Sequence, residues 1–232
     1  MKKSIWIDVW DFLFPRYCAI CGQRLLRNEK CLCLDCLRKL PRTNLHTLSD
    51  NVIEKNLWGR LPVERASSFL YYSKGGSVQK LLFELKYYHN ADIGIYLGRC
   101  MASELLPSGF FEGIDYIVPV PLHPKRLRER GYNQSEMLSR GISDVTHIPL
   151  NTSWIQRKQA TQTQTHKSRF DRWENVKDVF QLNCDVSLEH CHLLLVDDVM
   201  TTGATLTACA DVFRKIPGLR ISVLTLALAG ES

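Results

Sequence analysis

The apolar positions of this chain change their period along its length. Trp6, Val9, Trp10 and Leu13 recur at helical spacing and stop at Pro15, which predicts a short amphipathic helix. Its polar side carries Asp8 and Asp11 where a membrane-surface helix would carry lysines, so a helix packed on the protein body is expected. Residues 43–66 are polar, include Pro62 and read as a linker. From residue 67 strand-like and helix-like runs alternate. Ser68 to Tyr72 predicts a strand, Gly75-Gly76 a turn, and Ser77 the cap of a helix whose apolar face is Val78, Leu81, Leu82 and Leu85. A second helix carries Ile93, Leu97, Cys100, Met101 and Leu105. Tyr116 to Pro121 reads as a buried strand entering a proline-fixed loop, where a cis or strained peptide would aim amides outward. Ser135 to Arg140 is expected to be helical. His192 to Asp198 is a further buried strand, followed by a helix with Leu206, Cys209, Ala210 and Phe213. Ile221 to Leu228 is the last strand. Continuous apolar strands alternating with helices predict an α/β fold with a parallel sheet covered on both faces.

Composition changes this picture little. The 232 residues are 45% hydrophobic and 23% charged, the balance of an ordinary globular protein. A disordered, collagen-like or coiled-coil chain is excluded. No stretch approaches the roughly 18 uninterrupted apolar residues of a membrane helix, so an integral membrane protein is not expected. The first residues start like a signal peptide, but Asp8 and Asp11 break the apolar run and no small-residue cleavage site follows. The expected location is the cytoplasm. A net charge of +6 leans mildly towards polyanions and does not by itself indicate nucleic acid.

The nine cysteines add a metal site to the picture. Cys18, Cys21, Cys31, Cys33 and Cys36 crowd one short window, and an odd total without an export signal argues against a disulfide framework. Cys18-Ala-Ile-Cys21-Gly22 and Cys33-Leu-Asp-Cys36 are two C-x-x-C knuckles. Each knuckle places two thiolates on one side of an ion, and Gly22 relieves the tight backbone after the first. The expected ligands of a structural Zn²⁺ are Cys18, Cys21, Cys33 and Cys36, with Cys31 able to replace Cys33. Four thiolates leave no open position, so such a zinc folds the module and does no chemistry. The chain is therefore divided into an N-terminal helix and zinc module (1–42), a linker (43–66) and an α/β domain (67–232).

The segment from Leu193 to Leu206 carries the candidate chemistry. It is a buried strand ending in Asp197 and Asp198, then Val199-Met200-Thr201-Thr202-Gly203-Ala204-Thr205, then a helix. In an open parallel sheet, ligands bind at that end of the strands. Thr201, Thr202 and Thr205 supply hydroxyls, Gly203 and Ala204 let backbone amides approach closely, and the helix start adds partial positive charge; together they suit a phosphate monoester. Ionised Asp197 and Asp198 only accept hydrogen bonds, which suits vicinal ribose hydroxyls directly or through Mg²⁺. No G-x-x-x-x-G-K-[ST] and no G-x-G-x-x-G motif is present, which removes the main support for nucleoside triphosphate and dinucleotide readings.

This acidic segment resembles the phosphoribosyl pyrophosphate loop of type I phosphoribosyltransferases. The whole chain is similar to the ComF/ComFC family of competence proteins, which couple a zinc module to such a domain. The two knuckles match, as do Leu85-Lys86-Tyr87 with Leu97-Gly98, Asp115 to His123 (D-x-I-V-P-V-P) and Arg130-Gly131-Tyr132-Asn133-Gln134-Ser135 (R-G-[FY]-N-Q). Arg157, Thr161, Gln164, Arg169, Asn175 and Phe180 match the remaining block. The additional Cys31 is the one visible departure.

The resemblance implies a phosphoribosyltransferase type I-like sheet flanked by helices, and roles for particular residues. The loop after Pro119-Val120-Pro121 would take pyrophosphate with Lys125, Arg126, Arg128 and Arg130, Glu129 opposing them; a solvated basic loop is the alternative. Lys86 would close over the pyrophosphate or simply end its helix. Arg157, Gln164 and Arg169 lie in a polar, aperiodic stretch that reads as a flap near the site. In a transferase, Asp197 and Asp198 would be the catalytic pair, stabilising a cationic sugar while Mg²⁺ neutralises the leaving pyrophosphate. No base-recognition hood is evident, and the zinc module stands where relatives carry one.

Three functions compete. The first is a competence protein that handles incoming single-stranded DNA in natural transformation, in the cytoplasm or peripherally at the inner-membrane uptake machinery, beside DNA-uptake or recombination proteins. Its DNA-binding candidates are Arg24 and Arg38 in the zinc module and Arg157, Lys158 and Arg169 in the flap, with aromatic neighbours such as Trp154 as stacking platforms. The second is an active phosphoribosyltransferase of nucleotide salvage or biosynthesis. The third is a ligand-gated adaptor that binds phosphoribosyl pyrophosphate or a related sugar phosphate without turnover.

Overall fold

The computed structural model describes residues 15–88, 90–157, 179–184 and 187–230. The expected helix at Trp6 to Leu13 lies outside them. In the four-cysteine module, Cys33 Sγ accepts from the Cys36 amide at 3.4 Å and so caps a short helix, α1 (Leu34–Arg38). Cys18, Leu25, Leu32 and Leu40 are buried in the same core as Phe69, Leu81 and Leu97. The module thus shares apolar burial with the α/β body.

Residues 43–66, expected as a linker, are built into that body. Ile53, Leu57 and Leu61 recur every four residues and are buried, the first two on α2 (Val52–Leu57). Asn51 caps α2 by accepting from the Ile53 and Glu54 amides, while Glu54 returns a bond to the Asn51 amide. Asn51 Nδ2 also donates to the Ala66 carbonyl at 2.9 Å, which ties the segment to the first strand.

The α/β body runs β1 (Ala66–Tyr71), α3 (Ser77–Tyr87), α4 (Ala91–Leu105), β2 (Tyr116–Pro119), α5 (Pro124–Arg130) and α6 (Gln134–Thr146). It continues through β3 (Ile155–Arg157), β4 (Phe180–Leu182), β5 (His192–Met200), α7 (Ala204–Ala210) and β6 (Arg220–Leu228). Four strands pair in parallel in the order β1-β6-β5-β2, and β3 and β4 form a separate antiparallel ribbon. The continuous apolar runs follow from burial of both faces. Leu194, Val196, Leu224 and Leu226 join one core with the apolar face of α3 and with α4; Leu193, Leu195 and Val223 join the other with α2 and α7. The expected α/β class, a parallel sheet flanked by helices with an N-terminal four-cysteine cluster, is the observed one.

Two glycines set the approach of α4 to α6. A Cβ on Gly98 would stand 2.1 Å from the Leu138 carbonyl oxygen, and one on Gly141 would stand 2.1 Å from that of Ile95. The helices touch backbone to backbone there. This fixes the start of α6, which carries Ser135 towards the sheet.

Local expectations change in four places. Gly76, not Ser77, is the residue before α3, and it makes no side-chain cap. The basic loop after β2 is helix α5, entered through Pro124, capped by His123 and ended by Gly131 at φ 79°. No peptide bond among the described residues is cis, so the prolines after β2 act by fixing φ alone. Trp154 is buried edge-on against Tyr116, with ring centroids 4.9 Å apart, and is a core residue, not a stacking platform.

Candidate functional site

Strand register creates the site. Pro119 of β2 stands opposite Val196 of β5, and the Val120 amide donates to the Val196 carbonyl at 2.9 Å. There β2 ends, while β5 continues beside β6 from Asp197 (opposite Thr225) to Met200 (opposite Leu228). The carboxylates therefore emerge where β5 has lost one neighbour, at the C-terminal end of the sheet.

Asp197 Oδ1 accepts from Ser135 Oγ at 2.9 Å and from the Asp198 amide at 2.8 Å. Asp198 Oδ2 pairs with Lys86 Nζ at 2.8 Å. Burial, and then the charge of Asp198, push the Asp197 carboxyl up to about 7. Asn133 holds the wall between them: its Oδ1 accepts from the Ser135 amide at 3.2 Å and its Nδ2 donates to the Val120 carbonyl at 3.0 Å. Four cations converge on this acid pair. Lys86, Arg126, Arg130 and Arg157 line one cavity of about 150 Å³ with Asp197 and Thr205. Arg130 Nη1 donates to Gln134 Oε1 at 2.8 Å. Burial, and then the like charge of Arg126, lower the pKa of Arg157. Its guanidinium lies 5.4 Å from the Phe180 ring centroid on the β3–β4 ribbon.

The loop 201–203 leads into α7, with Gly203 at φ 77°. A Cβ there would meet Leu57 Cδ2 at 2.9 Å, so α2 supports this loop from beneath. Thr201, Thr202, Ala204 and Thr205 are exposed. Thr205 lines the acidic cavity, and Thr201 lines an adjoining cleft that also contains Lys86 and Asp198. Lys125 and Arg128 are exposed on α5 outside the cavity lining. Of the flap residues, Arg157 enters the site; Lys158 and Arg169 lie outside the described residues, as do Thr161, Gln164 and Asn175. Arg24 and Arg38 are exposed on the four-cysteine module. Ser135, Asn133 and Gln134 carry no predicted role; their signal is the Arg130-to-Ser135 block at a helix start, where a hydroxyl next to an Asn cap is placed to meet a strand end.

The four-cysteine cluster answers the ligand question geometrically. The sulfurs of Cys18, Cys21, Cys33 and Cys36 lie within 4.8 Å of one another. Cys21 Sγ to Cys33 Sγ is 3.8 Å, close to the edge of roughly 3.8 Å expected for a tetrahedron with metal–sulfur bonds near 2.3 Å. Burial raises the Cys18 pKa, but the amides of Cys21, Cys33 and Ile20 more than reverse this and hold it at about 7. Cys31 is not in the group; burial, Asp92 and Cys100 push its thiol up to about 11. The donor set fits a zinc-like ion.

Comparison with known proteins adds sequence relatives. No family model matches the chain. It is 30% identical over 212 residues to the DNA utilization protein YhgH of Escherichia coli (strain K12), covering 90% of this chain and 88% of that protein. It is 39% identical over 114 residues to competence protein F of Haemophilus influenzae, covering 49% of this chain and 50% of that protein. Among solved structures, glutamine phosphoribosylpyrophosphate amidotransferase from B. subtilis, complexed with ADP and GMP, aligns with a TM-score of 0.40 at 18% identity, covering 61% of this chain and 30% of that one.

Proposed function

Because the chain belongs to the family of the DNA utilization protein YhgH and competence protein F, we propose that it handles incoming single-stranded DNA in the cytoplasm and binds phosphoribosyl pyrophosphate at Asp197 and Asp198. The observation that carries the ligand reading is the acid pair facing Lys86, Arg126, Arg130 and Arg157 across one cavity. Phosphoribosyl pyrophosphate has the matching chemistry: a diol for the carboxylates and anionic groups for the cations. Thr201 to Thr205 receive the 5′-phosphate and the α5 arginines the pyrophosphate. Asp197 and Asp198 are the residues to hold Mg²⁺ with the ligand, and the ion would neutralise pyrophosphate charge. Cys18, Cys21, Cys33 and Cys36 hold a structural Zn²⁺, which stabilises the module packed on α3 and α4.

The DNA part of the reading rests on family membership and on the excess of cationic side chains, +6 over the chain. It is tested by anisotropy of a labelled single-stranded oligonucleotide over a salt series. Binding that weakens linearly in log salt is expected, since each phosphate contact releases counterions. No binding at low salt would end this reading.

A further inference from the structure

Helix α3 has two faces. Val78, Leu81, Leu82 and Leu85 are buried in the core, while Phe83 and Tyr87, one turn apart, and Tyr88 just past the helix end are 49%, 59% and 68% exposed. The Phe83 and Tyr87 rings lie 5.3 Å apart at 39°, a continuous aromatic shelf rather than isolated exposed residues. On one side lies an apolar cleft of about 500 Å³ walled by Tyr72, Leu82, Phe83 and Tyr87 and reaching Asp198 and Thr201. On the other lies a cleft of about 460 Å³ lined, among the described residues, by Lys86, Tyr87, Arg126, Glu129 and Arg130. The Arg130 guanidinium is 5.7 Å from the Tyr87 ring centroid.

We propose that the shelf of Phe83 and Tyr87 stacks unpaired bases of single-stranded DNA, with the adjacent phosphates held in the cleft of Lys86, Arg126 and Arg130. This rests on the DNA-handling reading above and says where the strand lies. The charge pattern selects the occupant. An apolar peptide would bring no anion to this basic cleft, and a duplex keeps its base faces stacked inside the helix. A single strand offers flat π faces and a phosphate at every step, the combination an aromatic shelf beside a cationic cleft binds without sequence readout. Lys86, Arg126 and Arg130 also line the sugar-phosphate cavity. The two ligands therefore draw on the same cations, and each weakens the other reciprocally.

The test uses the full chain and a fluorescein-labelled poly-dT oligonucleotide. Phe83→Ala with Tyr87→Ala is expected to weaken binding about tenfold or more, at the scale of one to two lost stacks, with the salt slope retained. Lys86→Ala with Arg126→Ala should flatten the salt slope. Ultraviolet crosslinking of a bromodeoxyuridine oligonucleotide to the wild type should label the peptide containing Phe83, Tyr87 and Tyr88, a readout that needs no variant to fold. Added pyrophosphate should weaken DNA binding more than an equal ionic strength of chloride. If the wild type binds DNA but the double alanine variant binds equally and the crosslink falls elsewhere, the proposal is overturned while the DNA reading stands. If the wild type does not bind, both fall.

Discussion

Lys86 Nζ stands 2.8 Å from Asp198 Oδ2, joining the last turn of α3 to the C-terminal end of β5. The partners are only 23% and 17% exposed, so the pair is substantially desolvated and each charge depends on the other. Lys86 thereby fixes Asp198 at the strand end, and it borders the cavity and both flanking clefts.

Removing the cation exposes this dependence. Lys86→Ala is expected to destabilise the protein by about 1–2 kcal/mol, because Asp198 is left charged and partly buried. Chemical denaturation checks it, and Lys86→Ala with Asp198→Ala should recover most of the loss. An equal or larger loss in the double variant would show that the pair is not the cause.

Asp197 makes stability depend on pH in a defined direction. Its carboxyl is raised in the folded protein from 3.8 to about 7, so the folded state binds a proton that the unfolded chain releases. The stabilisation is complete below the unfolded value and lost as pH rises through about 7. Asp197→Asn should therefore raise the melting temperature on the alkaline side of this window and change it little near pH 4. Thermal melts across that range measure the effect, and a variant stabilised equally at both ends would contradict it.

The cysteine cluster separates ligands from bystander. Cys33→Ser or Cys36→Ser should lose bound zinc and lower the melting temperature of the whole chain, because the module shares a core with β1, α3 and α4. Cys31→Ser should retain the metal, since Cys31 faces Asp92 and Cys100 instead. Metal analysis of the purified variants distinguishes the two outcomes.

The α4–α6 crossing admits no side chain at its centre. Gly98→Ala or Gly141→Ala is expected to destabilise by about 2 kcal/mol or more, since the added methyl meets a backbone carbonyl that only a helix shift can relieve. A loss of less than about half a kcal/mol on denaturation would show that the helices separate easily.

These elements differ in how far the sequence revealed them. The strands of the parallel sheet were legible because both faces are buried, which turns each into an unbroken apolar run such as Leu193 to Val196. The four-cysteine cluster was legible from knuckle spacing, while the choice between Cys31 and Cys33 as its member needed the turn that brings Cys33 within 3.8 Å of Cys21. The stretch 43–66 misled because its buried apolar residues, Leu45, Ile53, Leu57 and Leu61 among them, are interspersed with polar ones; the four-residue spacing of Ile53, Leu57 and Leu61 is what marks the core-facing side of α2 and the turn after it. The acids at the end of β5 stood out, but their partners did not. Ser135 reaches Asp197 from 62 residues away and Lys86 reaches Asp198 across the sheet, pairings set by topology. The basic run after β2 was visible as charge, and its helical form follows from Pro124 and Gly131, signals that its arginines obscured.

The most direct test of the central claim is calorimetric titration of the zinc-loaded chain with phosphoribosyl pyrophosphate and Mg²⁺, beside the Asp197→Asn, Asp198→Asn variant. Saturable binding by the wild type, weakened at least tenfold in the variant, is the expected result. Absence of heat with the wild type, or equal affinity in the folded variant, would mean that the carboxylates at the end of β5 do not hold a sugar phosphate.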